Sequence, residues 1–120
     1  MSKIEKFEDL EVWKESISLA TEIYFILKVC NDLSLKDQMQ RAVVSIASNI
    51  AEGFERNLNK EFIQFLYFAK ASCGELRTQL YIASKINILK NNDIEELIEK
   101  TRKISAMLYK LIKTRKEKFN

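Results

Sequence analysis

The chain has 120 residues, 47% hydrophobic and 31% charged, a balance that suits one globular core and excludes a disordered chain or a core plus a separate catalytic domain. With no proline and only two glycines, few turns and long uninterrupted helices follow, and a sheet-rich fold of this size is excluded. A net charge of +3 permits a nucleic-acid partner without demanding one.

Apolar spacing predicts a first helix over residues 9–30. Leu10, Trp13, Ile17, Ala20, Tyr24 and Leu27 fall on one stripe at three- and four-residue steps, and Val12, Leu19, Ile23 and Ile26 widen it. A helix this broadly apolar buries one side in its own bundle and the other against a second protein or subunit, unless one core takes all of it. Trp13 is expected as a packing anchor with a polar partner for its indole N–H. Residues 31–34 make the first break, with Ser34 as cap and Asp37 three residues on.

The second helix is predicted over 35–55 and carries two stripes on adjoining faces. Met39, Val43, Ile46, Ile50 and Phe54 form the core face, while Gln38, Arg41, Ser45, Asn49, Glu52 and Arg56 form a polar stripe beside it. Short uncharged groups at the edge of a core point to polar contacts between packed elements. Gly53, near the end, relaxes the last turn or admits the close approach of a neighbour.

A third helix follows over 60–85, with Asn59 as cap and Leu58 as a staple against Ile63. Phe62, Phe65, Leu66, Ala69, Cys73, Leu76, Leu80 and Ala83 are its apolar positions, flanked by Ser72, Glu75 and Gln79. The short connection forces the second and third helices antiparallel, so the polar flanks meet each other or a common partner. Ser45, Asn49 and Glu52 are therefore candidates to pair with Ser72, Glu75 and Gln79. The fourth helix is predicted over 93–118 on Ile94, Leu97, Thr101, Ile104, Leu108 and Leu111, capped by Asn92 with Glu95.

Beyond Glu99 the charges are Lys100, Arg102, Lys103, Lys110, Lys113, Arg115, Lys116 and Lys118 against Glu117 alone. Such a run complements the helix dipole or forms a phosphate-binding patch, whose candidate contacts are Lys110, Lys113, Arg115, Lys116 and Lys118. Cys30 and Cys73 are too far apart in sequence for a zinc motif and read as buried apolar thiols. No apolar run reaches the length of a membrane span and no secretory segment is read, so a cytoplasmic protein is expected. Glu52 and Glu75 can be read as paired carboxylates, but metal-binding bundles of that kind use Glu-x-x-His and the chain has no histidine. With no phosphate loop, nucleophile elbow or Cys-His pair, no catalytic residue, cofactor, metal or small-molecule substrate is expected.

Gln38, Arg41-Ala42, Ser45-Ile46, Asn49-Ile50-Ala51-Glu52-Gly53 and Arg56 resemble the signature of the bacterial four-helix bundle family first described as proteins encoded in intervening sequences of large-subunit ribosomal RNA genes. Phe7, Leu10, Val12 and Trp13 resemble its opening, and Phe62, Phe65-Leu66, Ala69, Ser72, Glu75-Leu76 and Gln79 its third helix; residues 90–120 match in character only. Relatives often carry a proline and an aromatic in the first loop, where this chain has Asn31-Asp32-Leu33-Ser34. The resemblance implies ring-forming homopentamers, and a similar fold serves as the accessory protein of diversity-generating retroelements, where a basic barrel engages RNA and a reverse transcriptase. The expected fold is all-α, one antiparallel up-down-up-down four-helix bundle over residues 1–120. The expected function is a non-enzymatic oligomeric scaffold binding RNA or a ribonucleoprotein; the alternative is a protein scaffold that binds no nucleic acid.

Overall fold

The apolar repeats become four helices in a computed structural model that describes residues 3–119: α1 (Glu11–Ile26), α2 (Leu33–Glu55), α3 (Asn59–Lys85) and α4 (Asn91–Lys118). Single 3₁₀ turns flank α1 at Phe7–Asp9 and Leu27–Val29, so the predicted 9–30 helix is shorter at both ends. Consecutive helices run antiparallel. Ser45 faces Ser72 while Gly53 faces Phe65, and Tyr67 meets Lys116 while Tyr81 meets Arg102. At 28 residues, α4 runs most of the 46 Å long axis, given a rise of about 1.5 Å per residue.

The predicted core faces of α2, α3 and α4 are the observed ones except that Phe54, Phe65 and Leu111 are half-buried at their edges and Ile112 closes the α4 face. Met39, Val43, Ile46 and Ile50 pack with Leu66, Ala69, Cys73, Leu76 and Leu80 of α3 and Ile94, Ile104 and Leu108 of α4 in one buried cluster. In α1 the inward stripe is Val12, Ser16, Leu19 and Ile23, continued by Leu27, while Trp13 and Ala20 lie at the flank and Ile17 and Tyr24 face out. Trp13 packs on this core beside Phe7, their ring centroids 5.4 Å apart.

Three predicted caps are replaced. Asp32, not Ser34, caps α2: Leu35 N–H donates to Asp32 Oδ1 at 3.0 Å, and Ser34 sits in the first turn where its hydroxyl accepts from Gln38. Leu58 occupies the N-cap position of α3 and is exposed, and Asn59 is drawn off to Arg115 of α4. Lys90 precedes α4, and it is Asn91, not Asn92, that bonds across the turn, accepting from Ser84 Oγ at 3.1 Å. At the far ends, Asn57 (φ 62°) and Asn87 (φ 57°) take the left-handed conformation that closes α2 and α3. Ile88 N–H reaches back to Ala83 O at 3.2 Å and Asn87 N–H to Ser84 O at 3.2 Å.

Candidate functional site

Three surfaces of the bundle carry the residues singled out from the sequence. The first is the α2–α3 seam. Ser45 Oγ and Ser72 Oγ share a hydrogen bond of 2.9 Å between the helices, and Asn49 Nδ2 donates to Ser45 O at 2.8 Å and to Ser45 Oγ at 2.9 Å. These three half-buried residues are the part of the polar stripe that meets across the helices. The rest points elsewhere: Gln38 bonds Ser34, Arg41 bonds Asp37 at 3.0 Å, and exposed Glu52 accepts from Arg56 at 3.4 Å. Arg56 also reaches Glu61 of α3 at 3.3 Å and lies 4.9 Å from the Phe65 ring centroid. Glu75 is exposed, whereas Gln79 is buried with its Oε1 lacking a hydrogen-bond partner. Glu52 is held by the arginine one turn on along its own helix.

Gly53 fixes how closely the seam closes. A Cβ on Gly53 would stand 2.5 Å from Phe65 Cβ and 3.2 Å from Phe62 Cδ1, so the second reading of this glycine, close approach of a neighbour, is the one the packing gives.

The second surface is the outer side of α1 with the adjoining side of α2. Ile17 (40%), Tyr24 (44%), Phe25 (72%) and Val44 (44%) are exposed there. A groove of about 620 Å³ runs between the helices over Ile17, Ala20, Tyr24 and Phe25, rimmed by Lys28 and Lys36. A second hollow of about 360 Å³ continues it past Tyr24 and Val44 to Ser45, joining the apolar face to the polar seam.

The third surface is α4 and its cations. The first three of the run are neutralised: Lys100 pairs with Glu22 and Lys103 with Glu15 of α1, and Arg102 with Glu99. Carboxylates on another helix cannot be seen in a run read along one helix, which is why the sequence overstates this end's charge. Of the five candidate contacts, Lys110, Lys113 and Lys118 are exposed on different sides of the helix. Lys116 Nζ donates to Tyr67 OH at 2.7 Å. Arg115 is half-buried and fastened: its Nε donates to Asn59 Oδ1 at 2.7 Å, Asn59 Nδ2 donates to Arg115 O at 3.1 Å, and its guanidinium lies between the Phe62 and Phe119 rings at 5.1 and 3.9 Å. Burial pulls its pKa down from the ordinary guanidinium value.

Of the small polar groups inside the core, Thr101 and Cys73 stand on the predicted core stripes, whereas Ser16 was not singled out from the sequence. Ser16 and Thr101 are fully buried, each returning its hydroxyl to its own helix, at Val12 O (2.7 Å) and Ile98 O (2.6 Å). Cys73 Sγ donates to Thr101 O at 3.1 Å, and burial raises its pKa to about 11 against the opposing pull of Arg77 and Lys70. Both cysteines are free and buried. Among the described residues no three His, Cys, Asp or Glu side chains gather where they would hold a metal ion, and no helix is long and apolar enough to cross a membrane.

Four antiparallel helices, a small-residue polar seam and an exposed apolar face define an all-α bundle protein. The chain belongs to the 23S rRNA-intervening sequence protein family, whose sequence profile matches residues 8–110. No curated protein matches it significantly. Among solved structures, it is similar to a protein of unknown function from the S23 ribosomal protein family of Bacteroides thetaiotaomicron, with a TM-score of 0.79 and 23% identity over 86% of this chain and 99% of that one. At that identity the likeness is one of fold.

Proposed function

We propose that the protein is a non-enzymatic, cytoplasmic scaffold that assembles with copies of itself, as a pentameric ring, and carries RNA or a ribonucleoprotein on its basic surface. The observation that carries this reading is the outer face of α1: Ile17, Tyr24 and Phe25 leave one side of the helix apolar and uncovered while Leu19 and Ile23 fill the core on the other. Apolar surface of this extent, continuous with a groove to α2, is stable in water when a second copy covers it. A closed ring covers the same patch on every subunit and leaves none over.

The buried groups fit a scaffold. The core's polar side chains, Ser16 and Thr101, spend their hydrogen bonds on neighbouring backbone, and the Cys73 thiol is held neutral, which is the opposite of an activated nucleophile. The RNA partner is supported by net charge and by the exposed Lys110, Lys113 and Lys118, which a ring would multiply.

Light scattering tests the assembly. The wild type is expected at five times the 14.1 kDa chain mass, and the Tyr24→Glu, Val44→Glu double variant at the chain mass with its helical circular dichroism intact. A wild type that stays monomeric at micromolar concentration overturns the reading.

A further inference from the structure

The side of the bundle where α3 meets α4 interleaves tyrosines with cations. Two contacts bridge the helices along it: Lys116 Nζ donates to Tyr67 OH at 2.7 Å and lies 5.0 Å from that ring's centroid, and Arg102 Nη2 donates to Tyr81 OH at 2.8 Å. Between Arg102 and Lys116, α4 presents Tyr109 and Lys113 on the same side of the helix, at steps of seven, four and three residues. Lys70, Gly74 and Arg77 share the seam side of α3 with the two anchor tyrosines, since they follow at three- and four-residue steps. Lys70 and Arg77 flank Cys73 at three- and four-residue steps on α3, and the Cys73 thiol faces Thr101 of α4.

Two features make this strip a receptor for a polyanion with flat faces. Carboxylates are scarce on it: Glu61 of α3 turns away to Arg56 of α2, and Glu99 of α4 is consumed by Arg102. Aromatic surface is presented, with Tyr67, Tyr81 and Tyr109 exposed by 46%, 44% and 60%.

Resting on the reading of the protein as an RNA carrier, we propose that the α3–α4 seam, rather than the tip of α4, is its binding surface for single-stranded nucleic acid. Bases stack on Tyr109, and Lys70, Arg77 and Lys113 hold the phosphates. Stacking on tyrosine is open to every base and phosphate contacts carry no sequence, so the surface takes single strands with little sequence preference. A duplex hides its base faces and gains only the phosphate contacts.

The test uses fluorescence anisotropy of labelled oligouridylate, the equivalent oligodeoxythymidylate and an RNA duplex, at low and physiological salt. Wild type is expected to bind both single strands better than the duplex. Tyr109→Ala is expected to weaken single-strand binding by about tenfold or more, as for the loss of one stacked base, and Tyr109→Phe to retain it. Lys70→Gln with Arg77→Gln is expected to flatten the salt dependence. Circular dichroism checks that each variant is folded. If Tyr109→Ala and the Lys70, Arg77 variant bind as wild type while Lys110→Gln with Lys118→Gln does not, the seam is wrong and the RNA reading stands. Equal binding of duplex and single strand overturns stacking. A wild type that binds no nucleic acid at low salt overturns the RNA reading itself and leaves a purely protein scaffold.

Discussion

The α-carbon of Gly53 and the side chain of Phe65 meet so closely that a methyl group on the glycine would lie 2.5 Å from Phe65 Cβ. This contact sets the α2–α3 spacing at the end where Arg56 crosses to Glu61 and covers the Phe65 ring. The other glycine, Gly74, has no such neighbour.

The two glycines should therefore respond oppositely to the same substitution. Gly53→Ala is expected to destabilise by about 1–3 kcal/mol through overpacking, and Gly74→Ala to stabilise by about 0.5–1 kcal/mol through helix propensity. Urea denaturation midpoints measure both. A neutral Gly53→Ala would mean that the helices separate freely at this end.

Ser45 and Ser72 are expected to be energetically coupled. Ser45→Ala removes the partner of Ser72 Oγ and one of the two acceptors of Asn49, at a cost of about 1 kcal/mol, and Ser72→Ala costs a similar amount. In the double variant neither hydroxyl is stranded, so the combined cost should fall short of the sum by about 0.5–1 kcal/mol. Strict additivity would show the seam to be a solvated flank.

Much of this was legible in the sequence, for a physical reason: helix and core face are read from spacing within one segment. The faces built on Met39 and Ile46, on Leu66 and Leu80, and on Ile104 and Leu108 follow directly. Ser45 with Ser72 was also legible, because a short antiparallel connection constrains which flanks meet. Apart from the local caps at Asp32 and Asn91, what could not be read depends on groups distant in sequence. Asn59 looks like a cap until Arg115 claims it, and the charge of Lys100 and Lys103 looks free until Glu22 and Glu15 of α1 are seen opposite. In α1, apolar residues occupy so much of the circumference that spacing alone picks the outward Ile17 and Tyr24 as readily as the inward Leu19 and Ile23.

The Asn59–Arg115 pair should hold the last turns of α4 against fraying. Removing it with Asn59→Ala is expected to cost about 1–2 kcal/mol, since one lost bond is to a charged group, and to speed amide exchange over Leu111, Ile112 and Arg115 selectively. Unchanged exchange at those amides would show that the Phe62 and Phe119 rings alone retain Arg115.

Cys73 should make the fold sensitive to alkali. Its thiol, ordinarily near 9.0, titrates at about 11 in the folded chain because burial disfavours the thiolate. The folded state thus holds its proton where the unfolded chain has lost it. This contribution is fully present below about pH 9 and is lost as pH rises from 9 towards 11, at up to about 1.4 kcal/mol per pH unit. Cys73→Ser, which retains a donor for Thr101 O but does not titrate in this range, should show a shallower decline. Denaturation midpoints at a series of alkaline pH values compare the two, and parallel declines would remove Cys73 as the cause.

The left-handed asparagines at Asn57 and Asn87 have a kinetic consequence. They turn the chain at the ends of α2 and α3 without a proline, and the chain contains none anywhere. No prolyl bond has to isomerise before the native packing can form, so the step that commonly stretches refolding to tens of seconds is missing. Helices that pack on their immediate successors through short connections also close their loops at little entropic cost. A newly made chain should reach its bundle on the microsecond-to-millisecond scale typical of such topologies, leaving the outer face of α1 little time to find the wrong partner before the right one.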